Sequence, residues 1–128
     1  MKYFKCLIML LAVSVITSLS GIKANPLDPY YFVSTAPPFN GSVSTNTRTK
    51  DEFSTQELRY TYSQRDLDVV LQDEHGNNMS DWFLLRTGWD VIFDNVSAML
   101  EDQDYKIFVD SRINYFTYTD FNFKWWVH

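Results

Sequence analysis

Phe121, Phe123, Trp125 and Val127 alternate with Asn122 and Lys124 at the end of this 128-residue chain. A period of two is the signature of a strand with one buried face, and such a face must be covered by a second layer. Trp125 therefore belongs to the core, and Trp126, its neighbour along the strand, must point the other way. The spacing predicts that Trp126 is joined on this second face by Phe116 or Tyr118 from an adjacent strand. An uncovered aromatic sheet face is a contact surface. The competing reading is that an N-terminal segment, through Tyr30, Tyr31 and Phe32, lies over it.

Other segments repeat the alternation. Leu58, Tyr60 and Tyr62 alternate with Glu57, Arg59 and Thr61; Leu67, Val69 and Leu71 alternate with Asp66, Asp68 and Gln72. A hairpin turning at Gln64-Arg65 would join these two strands. Tyr105, Ile107 and Val109 mark another strand, and Ile113–Thr119 is β-prone throughout. A single strand over 113–127 would span about 50 Å, too long for a small domain, so a break is expected near Thr119-Asp120. Between Ser80 and Glu101 the period changes. Trp82, Leu85, Trp89, Ile92, Val96 and Met99 follow at steps of three and four, which predicts one amphipathic helix over 81–101 with Ser80 as its N-cap. Gly88 is unfavourable inside it by about 1 kcal/mol. The rival is a short helix ending at Gly88 followed by a strand over Trp89–Phe93. The resulting expectation is an α+β fold of order β-β-α-β-β-β, about five antiparallel strands packed on one helix.

This body occupies residues 53–128. Before it, residues 25–52 contain all four prolines and a Ser/Thr/Asn-rich stretch, and read as an extended arm. Its apolar island Tyr30-Tyr31-Phe32-Val33 could dock as an edge strand. Residues 1–24 read as a secretory signal peptide: Lys2 and Lys5, an apolar run over 6–16, then small residues at 17–21. That run is too short to cross a bilayer. Removing it takes three lysines and no acid, leaving eight bases against sixteen acids, a charge of −8 over 104 residues. The chain is expected in the extracellular space or a periplasm, with no stable membrane anchor after cleavage.

Charge and composition narrow the function classes. Nucleic-acid binding is driven by Lys and Arg on phosphates, and the few bases here are scattered singly. Cys6, the sole cysteine, lies inside the signal, so the mature chain has neither a disulfide nor a thiolate nucleophile. Twenty aromatics remain to build the core, since each ring buries roughly 150–250 Å².

Catalytic and metal signals are weak. Asp73-Glu74-His75 joins acids to a histidine but lacks the further ligands of a stable metal site, and reads as a solvated loop. Asp102 and Asp104 begin like a calcium loop, which Lys106, Phe108 and the missing glycine break off. No catalytic residue, metal or cofactor is assigned. The sequons at Asn40 and Asn78 fall in loops and would be glycosylated in a eukaryotic secretory pathway; Asn95, on the expected helix, is a poorer acceptor. The composition thus points to a small exported binding protein whose candidate contact residues are Trp126, Phe116, Tyr118, Tyr30 and Tyr31. Its partner would be a protein, a glycan or a second copy. The alternatives are a secreted hydrolase using carboxylates and an assembly subunit pairing through an edge strand. Mass spectrometry of the secreted protein is expected to place its first residue at Gly21 or Asn25; an exported chain retaining Met1 would refute the signal.

Overall fold

The structure, a computed structural model, describes residues 29–128. The export signal read in residues 1–24, including Cys6, lies outside the described residues. Nine strands and one helical turn follow in order: β1 Tyr30–Ala36, β2 Ser42–Ser44, β3 Arg48–Thr49, β4 Gln56–Ser63, β5 Leu67–Asp73, β6 Phe83–Leu85, β7 Val91–Phe93, α1 Val96–Met99, β8 Asp104–Asp110 and β9 Thr119–Trp126. All pairings are antiparallel. Sheet A has the order β1-β9-β4-β7, and sheet B the order β2-β8-β5-β6, with β3 also on β8.

This order is that of one long hairpin rolled up. β1 pairs with β9, β2 and β3 with β8, β4 with β7, and β5 with β6 at the tip. Successive rungs of the hairpin fall alternately in sheet A and sheet B. The roll closes through β4 on β9 and β5 on β8. With β2 and β3 as two pieces of one position, the architecture is an eight-position jelly roll.

Alternation fills the space between the sheets. β9 sends Phe121, Phe123 and Trp125 inward, β8 sends Tyr105, Ile107 and Val109, and β5 sends Leu67, Val69 and Leu71; all are buried. Tyr30 and Phe32 of β1 pack on the same core, Tyr30 edge-on to Trp125 and Phe32 against Phe121 and Phe123. The polar groups of the two largest buried aromatic rings are paired, whereas Thr119 Oγ1 and Arg65 Nε are buried without a partner. The Trp125 indole N–H donates to Gln56 Oε1 at 3.1 Å, and Gln56 Nε2 donates to the Ala98 carbonyl of α1 at 2.8 Å. The Tyr105 hydroxyl, 2.9 Å from the Ser97 carbonyl and 3.0 Å from that of Leu100, holds the other side of α1.

Several expectations are corrected. The body contains no helix running over 81–101: that span holds two three-residue strands, β6 and β7, a turn between them, and α1, a single turn. The three- and four-residue steps arose from two short strands either side of a turn. Phe83 and Leu85 face the core, as do Val91 and Phe93, whereas Trp82, Trp89, Ile92 and Val96 of the supposed stripe are exposed, Trp89 by 51%. Gly88 has φ +80°, a left-handed value suited to a turn and incompatible with a helix interior. In the rival reading the strand exists, as Val91–Phe93, but the helix before it does not.

β4 and β5 have nearly the spans expected, yet they are not a hairpin. Residues 64–66 cross from sheet A to sheet B, and a second sheet, not a helix, covers the core face of β9. The number of strands is nine, not five: residues 30–49, read as an arm, supply three, β6 and β7 replace the expected helix, and the expected strand over 113–119 is lost. The island Tyr30–Val33 does dock as part of an edge strand. Ile113–Tyr118 is a loop, and β9 starts at the expected break, Thr119.

Lys50, between β3 and β4, is buried, its ammonium donating to the Val127 carbonyl at 2.9 Å and to Ser54 Oγ at 3.1 Å. Burial pushes its pKa down from 10.5 to about 8, partly opposed by Glu52. Below pH 8 the ammonium is charged in both folded and unfolded chains, and folding bears its full desolvation. Between the two pKa values the unfolded chain holds more protons, so stability rises with pH. A gain of about 2 kcal/mol is expected between roughly pH 8 and pH 10. Burial raises the pKa of the Tyr105 hydroxyl above its ordinary value, which lowers stability only above that window. Urea denaturation across the window should show the rise, and Lys50→Met should lose it.

Candidate functional site

The sequence analysis expected an aromatic face around Trp126; on the outer face of sheet A that residue and Tyr31 stand among others the alternation did not nominate. β9 directs Asn122, Lys124 and Trp126 outward. Tyr31 lies across from Lys124, and Val33 across from Asn122. On the other side, Glu57 pairs with Trp126 and Arg59 with Lys124. After Arg59 the register shifts: Tyr62 is opposite Asn122, so Tyr60 and Thr61 together face the single residue Phe123. This is a β-bulge.

The bulge has a structural cause in the turn between β6 and β7. Gly88 N–H donates to the Thr61 carbonyl at 3.0 Å, and the Thr61 hydroxyl lies 2.9 Å from the Arg86 carbonyl and 2.8 Å from that of Trp89. Arg86 is itself fixed, its guanidinium forked onto the Asp66 carboxylate at 2.9 and 2.5 Å and stacked over the Trp89 ring. Turning Thr61 toward this loop forces Tyr60 to φ +52°. A left-handed bulky residue costs roughly 1–3 kcal/mol, and Tyr60 remains 70% exposed.

The displaced ring stands beside Trp126, with centroids 6.1 Å apart and planes tilted by 41°. Lys124 Nζ lies 5.0 Å from the Tyr60 centroid. Glu57, Arg59, Tyr60, Trp126 and His128 line a cavity of about 270 Å³. Across it Arg59 Nε donates to Glu57 Oε2 at 2.7 Å, and this bond, with the Glu57 charge, holds the guanidinium further above its ordinary pKa. The result is an exposed Tyr60 ring and a half-buried Trp126 ring beside a charged, hydrogen-bonding pair.

Of the five residues nominated from sequence, Trp126 and Tyr31 share this outer face. Tyr30 does not: it points to the core, with the Arg48 guanidinium 3.9 Å from its ring centroid. Phe116 and Tyr118 sit in the loop before β9, beyond the start of a strand about 23 Å long that has Trp126 at its other end, and no neighbouring strand carries them. Phe116 instead meets Phe39 edge-on at 5.5 Å. Asn40 and Asn78 are exposed in loops, and Asn78 Oδ1 accepts from Gln72 Nε2. At the Asp73-Glu74-His75 loop, the Asp73 carboxylate accepts from the Asn77 side chain and from the amides of Asn77 and His75. Those bonds, led by the Asn77 side chain, hold its pKa below the ordinary carboxylate value. It closes a turn. Among the described residues no group of three His, Cys, Asp or Glu is placed to hold a metal, and no helix is long and apolar enough to cross a membrane.

Sequence reasoning missed Tyr60, which its alternation with Leu58 and Tyr62 assigned to the core. A glycine would have signalled a bulge; a tyrosine gives no such sign. No protein-family model matches the chain, and no curated protein or solved structure matches it either.

Tyr60→Gly is expected to leave stability within about 1 kcal/mol of the parent, since lost ring contacts are offset by relief of the left-handed strain. Tyr60→Val should be about 1–2 kcal/mol less stable than Tyr60→Gly, because a β-branched residue tolerates that φ worst. Urea midpoints of the two variants check the ordering.

Proposed function

We propose that this protein is an exported, non-catalytic binding protein that takes a carbohydrate on the outer face of sheet A. The observation that carries this reading is Tyr60: a strained, exposed ring held beside Trp126 over a small charged cavity. Strain of this kind persists only where surrounding structure imposes it, and it clusters at functional positions.

A pyranose has one face of C–H groups and a rim of hydroxyls. The C–H face suits an exposed aromatic ring, which supplies large contact area at low cost in side-chain entropy. The rim suits the charged, planar groups of Glu57 and Arg59, because hydrogen bonds to ionised partners are the stronger ones. The cavity volume is of the order of one or two sugar rings. Glycoside hydrolysis by the usual route uses two carboxylate side chains flanking the bond; Glu57 is the one acidic side chain lining this cavity, and Arg59 already engages it. That favours binding over the carboxylate-hydrolase alternative. Export rests on the residue pattern of 1–24, which also supplies the compartment, extracellular or periplasmic, where glycans are met.

The test is a printed glycan array probed with the secreted protein, followed by calorimetric titration of the best ligand. Trp126→Ser and Tyr60→Gly are each expected to weaken binding by about 10- to 100-fold, roughly 1.4–2.8 kcal/mol, with melting temperatures little changed. Trp82→Ser, on the outer face of sheet B beside Phe108, should leave affinity unchanged. An array without a ligand, or one bound equally by all three variants, refutes the reading.

A further inference from the structure

We infer that β1 is a self-pairing edge, through which two copies of this chain join their A sheets into one eight-stranded sheet. The sandwich has four edges among the described residues, and three are blunted by brevity. β7 and β6 have three residues each, and the β2/β3 edge is split into pieces of three and two. β1 has seven, in unbroken register with β9 on one side and with no described strand on the other.

Proteins protect long edges with charge, proline, bulges or a covering segment. β1 reads Tyr-Tyr-Phe-Val-Ser-Thr-Ala, with no charge, no proline and no bulge. The prolines stand outside it: Pro29 immediately precedes the strand, and Pro37 and Pro38 follow. They leave the seven residues free to pair and stop the pairing at both ends. A joint of fixed length favours a closed twofold dimer over an open fibre.

The strand complements itself. In an antiparallel joint centred on Val33, Tyr31 of one copy faces Thr35 of the other, and Val33 faces Val33, on the outer side. On the inner side Tyr30 faces Ala36 and Phe32 faces Ser34, a large residue opposite a small one in each case. No like charges meet. In the next strands, Lys124 lies across from Tyr31 and Asp120 across from Thr35, so the two Tyr31–Thr35 rows across the joint each carry a lysine of one copy and an aspartate of the other. The second copy is thus the occupant this edge fits.

Sedimentation equilibrium of the secreted protein at tens to hundreds of micromolar tests this, combined with hydrogen exchange of the 30–36 peptide. A reversible dimer is expected, with exchange of that peptide at least tenfold slower in the dimer than in the dilute monomer. Val33 is 62% exposed, so Val33→Lys should leave the fold intact while placing two like charges at the twofold axis, and should raise the dissociation constant at least tenfold. Ile92→Lys, on the opposite edge of the same sheet, should not. Trp126→Ser should also leave the dimer intact, which separates edge pairing from any association through the carbohydrate face. A monomer throughout the range, a dimer insensitive to Val33→Lys, or one abolished by Trp126→Ser overturns the proposal.

Discussion

The sandwich depends on a short buried relay of hydrogen bonds from the Trp125 indole to the Gln56 amide and on to the Ala98 carbonyl. Trp125 is the largest fully buried side chain and lies on β9, between β1 and β4. A buried indole N–H without an acceptor costs about 1–3 kcal/mol, so its ring can fill the core only where an acceptor stands. Gln56 supplies one from the neighbouring strand and spends its own N–H on the helical turn that plugs the end between β7 and β8. One amide thereby joins both strands at the centre of sheet A to the loop linking the two sheets. Lys50, drawn under the chain end at Val127, seals the neighbouring corner at a desolvation cost that the rest of the fold must offset.

The rolled-hairpin topology explains why the candidate site and the long free edge both lie on sheet A. Pairing β1 with β9 brings the two ends of the described chain side by side, and closing the roll on β4 puts β9 at the centre. Three neighbouring strands then present their outward residues together, and no described segment crosses them. Sheet B is less open on its outer side. Trp82 lies edge-on to Phe108 there, and Val70, Phe108's cross-strand neighbour, is buried although it points away from the core. Phe39 and Phe116 form a separate small cluster in loops at the far end.

At the site the backbone matters as much as the side chains. The Tyr60 bulge joins β4 to the β6–β7 turn, where Thr61, Gly88, Arg86 and Asp66 form one connected set of hydrogen bonds. The turn cannot relax without releasing Thr61, and Tyr60 cannot return to the pleat while Thr61 is held. The aromatic pair is thus positioned from behind by groups that a ligand on the outer face would not touch.

Much was legible in the sequence. Period-two alternation marked β8, β9 and the spans of β4 and β5, and it separated buried Trp125 from outward Trp126, because the pleat fixes that geometry within one strand. The apolar island Tyr30–Val33 was recognisable as a segment that could dock as an edge strand, because its composition sets it apart from the polar residues around it. A single cysteine excluded an intrachain disulfide, and the few scattered bases argued against a polyanionic partner. What only tertiary structure decided was non-local. Three-residue strands such as β6 and β7 are too short to show a period of two, so two of them around Gly88 imitated the spacing of a helix. Whether β4 and β5 pair or part depends on which sheet each joins, and that is set by β8 and β9, far along the chain. The bulge that turns Tyr60 outward is imposed by a turn more than 20 residues away. Sequence fixes which way a side chain leaves its own strand; packing between distant segments decides which strands are neighbours and where the ladder slips.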